Sequence, residues 1–436
     1  MLLSVRFKRR LVFAGAFVLA LGCGLFFTSY YIGIKAQSMF YAKLDELSRY
    51  GVLSVTMSDY DRGLFRANAQ ISGTLSDDIP YSLKSEISYS LLSFIFGVDS
   101  KNELSVKLKD GLSSDNKSQK ASFNINLKSY ISGTSEALVR IPALYSKVFE
   151  ISQGVSIKSI IHANEIKILD IFAKNLKLIG DEKQLSLNGV KISLNGDFDA
   201  TIFAQKSIVK NIDLDKILPD SIEARVDFVS YKNIVDEFIF DNVIFLSRQV
   251  KKRELINVNY DFNIEKIGIL NDSKKFYPLK DFRISMVLKN IDLNAFLSTS
   301  LNPNLDPQIS KIALIDSGFE AILERASIKN LNSLNAFLKF RLAISKNSNE
   351  AKPILNRLKF DGKLGIDAGV SEFFKVFDRF FTHKEYVFID IIDKFVKTSG
   401  VFEKNGNEIS TSFKFDKNKN DIVFGALEYE LKNILF

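Results

Sequence analysis

Apolar and polar residues alternate with a period of two along most of this chain. Leu53, Val55 and Met57 alternate with Ser54, Thr56 and Ser58; after a turn at Tyr60 to Gly63, Phe65, Ala67, Ala69 and Ile71 alternate with Arg66, Asn68, Gln70 and Ser72. Two such runs with a tight connection predict a β-hairpin. The pattern recurs in Leu104/Val106/Leu108, Phe123/Ile125/Leu127, Leu185/Leu187 followed by Val190/Ile192/Leu194, Val258/Tyr260/Phe262/Ile264, Ile284/Met286/Leu288, Phe337 to Ile344, and Phe413/Phe415. One apolar face and one face of Ser, Asn and Lys is the signature of an antiparallel sheet with one buried side. Asn188-Gly189, Asn195-Gly196 and Asn405-Gly406 read as turns between strands, the last joining Gly400-Val401-Phe402 to the strand Ile409 through Phe415.

Helical spacing is rarer. Met39, Phe40, Leu44 and Leu47 give a helix within residues 36–50. Leu293 to Leu301 and Val370 to Phe381 read as short helices packed on the sheet. Glu385 to Lys397 carries Val387, Ile391 and Phe395 four apart and stops before Gly400, where a helix end is expected. No fixed-period repeat is present, so a strict solenoid is not expected.

The alternation is absent before residue 36. From Leu11 to Ile34 the chain holds no charged residue, and only Thr28 and Ser29 are clearly polar. About 20 apolar residues span a bilayer as a helix. A cleavable signal has a shorter apolar run ending in small residues, whereas this one ends in Tyr30, Tyr31 and Ile34, so an uncleaved anchor is expected. Arg6, Lys8, Arg9 and Arg10 precede the run, which places the N-terminus in the cytoplasm and the remaining chain on the periplasmic side of a bacterial inner membrane. Cys23, the only cysteine, sits inside the apolar run, so the outward region has no disulfide.

The expected fold class is therefore mainly β: long twisted antiparallel sheets of hairpins with a few short helices, after one N-terminal transmembrane helix. The expected divisions are a basic tail over 1–10, a membrane helix over 11–34, a juxtamembrane helix over 35–50, a β-rich region over 51–300, and a C-terminal β-rich region over 301–436 with a helix over 385–398. The boundary near 300 rests on Asn302, Pro303, Asn304 and Pro307 between Ser298 and Ser310.

Composition narrows the chemistry. The formal charge is +8, from 59 basic and 51 acidic residues; removing the four basic residues before the apolar run leaves 55 against 51, or about +4. That excess is too small and dispersed for a nucleic-acid partner. Phe 38, Tyr 14 and Trp 0 suit pleated surfaces. The region after the apolar run has no cysteine and only His162 and His383, so thiol catalysis and zinc or copper sites lack ligands there. Neither Gly-x-Ser-x-Gly nor a Walker-type loop occurs, and no carboxylate pair stands out. No catalytic, cofactor-binding or metal-binding residue is expected.

The hairpin Val55 to Ala69 resembles the opening of the YdgA-like family, a bacterial family of unknown function, through Tyr60, Arg62, Gly63 and Phe65 in the pattern Tyr-x-Arg-Gly-x-Phe, with Asp61 between. The C-terminal order of helix, Gly400 and hairpin, with a last strand through Phe424 to Leu431, is similar as well. The resemblance implies an envelope protein with no established activity. The residues give the motif a structural role: Gly63 at a turn with φ > 0, Tyr60 and Phe65 packing on either side, and Arg62 bridging turn carbonyls or Asp59. A docking edge near the membrane is the functional alternative. The leading expectation is a non-enzymatic envelope scaffold, with membrane lipid and other envelope proteins as partners. Lipid carried along an open apolar groove is the second, and an envelope carbohydrate enzyme the third.

Overall fold

A computed structural model of the protein describes residues 29–42, 44–45, 48–49, 53–75, 79–89, 97–107, 120–130, 132–146, 148–163, 165–199, 218–234, 236–252, 255–271, 274–292, 316–346, 357–377, 383–416, 421–424 and 427–430. Arg6, Lys8, Arg9, Arg10, Cys23, the region 293–301 and the boundary residues near 300 lie outside them. The expectation of a mainly β, antiparallel protein with few helices holds. Among the described residues no helix is long and apolar enough to cross a membrane. The expected span over 11–34 lies outside the described residues up to 28, and residues 29–34 belong to a helix lying on a sheet.

The chain divides into two compact units, residues 1–173 with 199–206 and residues 174–198 with 207–436. Unit 1 opens with α1 (29–42) and continues with β1 (Leu53–Arg62), β2 (Arg66–Leu75), β3 (Ile79–Ser88), β4 (Val98–Lys107), β5 (Lys120–Ser129), β6 (Thr134–Ile141), β7 (Leu144–Tyr145), β8 (Phe149–Ile151), β9 (Val155–His162) and the first part of β10 (Glu165–Ile179). Its strands pair antiparallel in the order β1, β2, β3, β4, β5, β6, β9, β10, and β7 pairs with β8 as a small insert.

A bulge between Val55 and Met57 shapes the first hairpin. It shifts the phase of β1, so Leu53 and Val55 pack inward, Met57 is exposed, and Tyr60 becomes buried. Met57 therefore leaves the apolar face that strict alternation assigned it. Gly73 sits opposite Val55, where a Cβ would stand 1.8 Å from the Ser54 carbonyl oxygen. Only glycine fits so close an approach.

Unit 2 takes the end of β10 and continues as β11 (Gln184–Asp199), β12 (Ser221–Lys232), β13 (Glu237–Lys252), β14 (Leu255–Asn271), β15 (Lys274–Asp292), β16 (Glu320–Asn330), β17 (Asn335–Ile344) and β18 (Leu358–Asp367). Each pairs antiparallel with the next from β11 to β18, an uninterrupted meander. Then come α2 (Val370–Phe374), a 3-10 turn (Lys375–Phe377), α3 (His383–Thr398), β19 (Glu403–Asn405), β20 (Glu408–Asp416), β21 (Asp421–Phe424) and β22 (Leu427–Glu430). β20 pairs with both β18 and β19, and β21 and β22 extend the sheet from it.

Of the three Asn-Gly pairs, only Asn405-Gly406 forms a hairpin turn, between β19 and β20. Asn188-Gly189 and Asn195-Gly196 lie inside the single strand β11, with positive φ at both glycines. Gly189 marks a slip of the apolar phase from Leu185/Leu187 to Ile192/Leu194, and left-handed Asn242 in β13 and Asp281 in β15 mark equivalent slips two and four strands away. The expected helix over 385–398 is α3, and Gly400 follows it at φ 70 as a C-terminal stop. Val401 and Phe402 precede the strand rather than form it, and the expected final strand divides into β21 and β22.

Candidate functional site

The Tyr60 to Phe65 hairpin is where α1 meets the sheet of unit 1. Ile32 and Phe40 of α1 pack against a buried cluster of Tyr60, Ala67, Ala69, Ile87 and Tyr89. Phe40, with Leu44 beyond it, also packs against Ile71, Tyr81 and Val106. Ile32, Phe40 and Leu44 fall at multiples of four and share one helical stripe. The small side chains of Ala67 and Ala69 give that stripe a shallow bed. The Phe40 and Tyr41 rings lie 5.3 and 6.1 Å from the Tyr60 ring. At Gly33 a Cβ would stand 2.9 Å from the Tyr89 hydroxyl, so glycine sets how closely helix and sheet approach.

Polar contacts tie the hairpin turn to the same place. The Tyr89 hydroxyl donates to the Gly63 carbonyl at 2.6 Å and reaches that of Arg66 at 3.1 Å. Gly63 N donates to the Arg66 carbonyl at 2.8 Å, closing the turn. Buried Ser29 donates to the Leu64 carbonyl at 3.0 Å. Arg62 reaches Gln37 Oε1 at 3.3 Å and the Tyr30 hydroxyl at 3.5 Å, with its guanidinium 5.0 Å over the Tyr30 ring. The Tyr60 hydroxyl is buried and has no hydrogen-bond partner among the described residues. Burial, reinforced by Tyr89 and Tyr41 and opposed by Arg62, pushes its pKa up to about 12.

The motif residues therefore divide. Tyr60 pairs with Ala69 within β1, and the turn consists of Gly63, Leu64 and Phe65. Gly63 is not in the left-handed region; its constraint is the Arg66 carbonyl oxygen, 3.0 Å from where a Cβ would be. Arg62 addresses α1, where turn carbonyls or Asp59 were expected. Asp61 and Phe65 are exposed. Ser29, Gly33, Gln37 and Tyr89 complete the contact, and sequence reasoning passed over them. Gly33 lay inside the presumed membrane span, and Tyr89 follows β3 more than 20 residues after the motif.

Unit 2 carries a different surface. Registered cross-strand neighbours Ile192, Ala224, Phe245, Phe262, Ile284, Ala326, Leu338 and Leu364 form one row, ending on Thr411 in β20. Beside it run Leu194, Ile222, Ser247, Tyr260, Met286, Leu323, Phe340, Gly362 and Phe413. At a strand spacing of about 4.8 Å, nine strands extend such a row over roughly 38 Å. The side chains from Ile192 to Leu338 in the first row are half-buried, whereas Ser247, Leu323 and Phe413 in the second are buried. The opposite face reads Ser193, Glu223, Leu246, Asp261, Ser285 and Arg325 along the same strands. A cavity of about 740 Å³ includes Leu323, Phe340, Gly362 and Phe413 in its lining, with Lys339, Arg341, Lys363 and Lys414. Glu324 and Asp361 are the carboxylates there, among those cations.

α2 and α3 cover one end of the apolar face. Val370, Ile389 and Val396 pack on Ile409, with Ile366 and Ile392 beside them. The stripe four apart that marked this helix, Val387, Ile391 and Phe395, points outward instead. Asp393, buried, accepts from the backbone of Val370 at 3.2 Å and Ser371 at 3.5 Å and pairs with Lys397. Burial alone would raise its pKa, but Lys397 and Ser371 hold it below the usual carboxylate range.

His162 lies exposed on β9, its Nδ1 3.0 Å from Thr134 Oγ1, its cross-strand neighbour. The side chain of His383 lies outside the described residues. Among the described residues no three His, Cys, Asp or Glu side chains gather as a metal site would require. Compared with known families, curated proteins and solved structures, the chain matches none.

Proposed function

We propose that this is a membrane-tethered envelope protein of bacteria, its N-terminus cytoplasmic and its β units periplasmic, acting without catalysis as a scaffold. The observation that carries the reading is the seating of α1 on the first hairpin. A helix that continues directly from an uncharged run, Leu11 to Thr28, is fastened to the sheet by its apolar stripe, by Ser29 and by Arg62. Such a junction fixes the orientation of unit 1 on its tether, which a plain flexible linker would leave free. The likeness of the hairpin to the YdgA-like family agrees with this placement. The mature protein should remain in the membrane fraction after alkaline extraction, with a mass that retains the residues before Ala36. A new N-terminus near Ala36, or a lipid on Cys23, would refute the tether.

A second reading, carriage of lipid, is favoured by the half-buried apolar row of unit 2 from Ile192 to Leu338. A sheet face this long and apolar suits acyl chains. Native mass spectrometry after gentle detergent extraction should then find bound lipid, reduced by Phe245→Glu and Phe262→Glu together; lipid-free protein would leave the scaffold alone.

A further inference from the structure

We propose that the tip of the first hairpin, Leu64 and Phe65 with Arg66 beside them, is a second membrane contact that rests in the lipid interface around the tether. The proposal builds on the reading of Leu11 to Thr28 as a membrane span. Those 18 uncharged residues would cover ~27 Å as a helix, close to the ~30 Å hydrocarbon thickness, so the span would end at the first described residue of α1. That residue, Ser29, donates to the carbonyl of Leu64 at 3.0 Å. The turn is therefore level with the point where the helix would leave the hydrocarbon.

The chemistry of the exposed surface at that level suits lipid headgroups. Phe65 is 43% exposed, and Tyr30 and Tyr31 on α1 are 46% and 64% exposed. Such aromatic rings sit well at the boundary between acyl chains and headgroups. The Arg66 side chain is 74% exposed, and its one described ion pair, with Glu86, is long at 3.7 Å. A guanidinium there can meet lipid phosphate while its stem lies along apolar surface. A bare hairpin tip in water would gain nothing from an exposed phenylalanine. The same tip beside an emerging helix gains a second hold, and unit 1 would be fixed to the bilayer at two points.

The chain has no tryptophan, so single substitutions give clean fluorescence probes. Full-length protein carrying Phe65→Trp, Tyr31→Trp, Phe17→Trp or Ile234→Trp is reconstituted into phosphatidylcholine vesicles with bromine on the acyl chains near the headgroup. Ile234 is 72% exposed in unit 2 and serves as the solvent reference. Arg66→Trp, at a side chain 74% exposed on the same turn, reports the hairpin tip should Phe65→Trp fold poorly. Strong quenching of Phe65→Trp and Tyr31→Trp, with Ile234→Trp unquenched, is the expected result. Quenching of Phe17→Trp and Tyr31→Trp with Phe65→Trp unquenched would overturn the hairpin contact and leave the span standing. A Phe17→Trp that stays unquenched in vesicles with bromine placed deep in the acyl chains as well would remove the span and the contact together.

Discussion

Tyr60 and Tyr89 belong to one buried cluster, yet their hydroxyls differ: Tyr89 holds the turn carbonyls, and Tyr60 has no described partner. Tyr89→Phe should therefore cost about 1–2 kcal/mol, and Tyr60→Phe should be neutral or stabilising, because an unpaired buried hydroxyl carries a desolvation cost. Thermal melts distinguish the two, and equal losses would contradict the assignment. Alkaline titration adds an independent check. The folded-state pKa of Tyr60 lies above its ordinary value, so the linked stability is complete below about pH 10 and is lost as pH rises towards 12. Tyr60→Phe should remove part of that alkaline loss. Tyr277, raised to about 12 by burial and by its bond to Asp241, leaves a remainder in both proteins. Among glycines, Gly73→Ala should cost about 1–3 kcal/mol by driving a Cβ into the Ser54 carbonyl. Gly63→Ala, with its looser 3.0 Å contact and ordinary φ, should cost under about 1 kcal/mol.

At the scale of elements, α1 belongs to unit 1 as much as any strand does. Full burial of a large apolar side chain contributes about 1.5–3 kcal/mol, and α1 helps bury Tyr60, Ile71 and Ile87. A chain beginning at Ser29 should melt near the full-length protein, whereas one beginning at Leu53 should lose the unit 1 transition or shift it down by several degrees. At the other end, Asp393→Asn should weaken the α2/α3 pair, and the wild-type contribution should fade as pH falls through the depressed carboxylate pKa. Elements were legible where local pattern and tertiary demand agreed, as in β14 from Val258 to Ile264; the bounds of α3 before Gly400 were legible too, but its buried side is Ile389, Ile392 and Val396 rather than the stripe that marked it. They were misread where a strand needs a left-handed residue: Asn188-Gly189 has the chemistry of a hairpin turn, but β12 and β13 continue the sheet past it and hold β11 straight through. In β1 a bulge, visible only once Gly73 lies opposite Val55, exchanges Met57 for Tyr60 on the buried side.

For the whole molecule, the sequence located the hairpin that matters but not what it grips. Tyr60 and Arg62 were visible as a motif; their partners Phe40, Gln37 and Tyr30 lie on a helix whose first turn looked like membrane span, because apolar runs for lipid and for protein cores are alike in composition. The apolar face of unit 2 was legible from alternation within stretches such as Val258 to Ile264, but not across the left-handed residues and the bulge between Leu323 and Ala326 that shift its phase. The proposed scaffold requires a tether that passes once through the membrane and leaves both β units outside. A reporter that functions only in the periplasm, fused after Phe436, tests this most directly. The expected result is an active periplasmic reporter and an inactive cytoplasmic one at the same position; activity of the cytoplasmic reporter there would refute the outward placement.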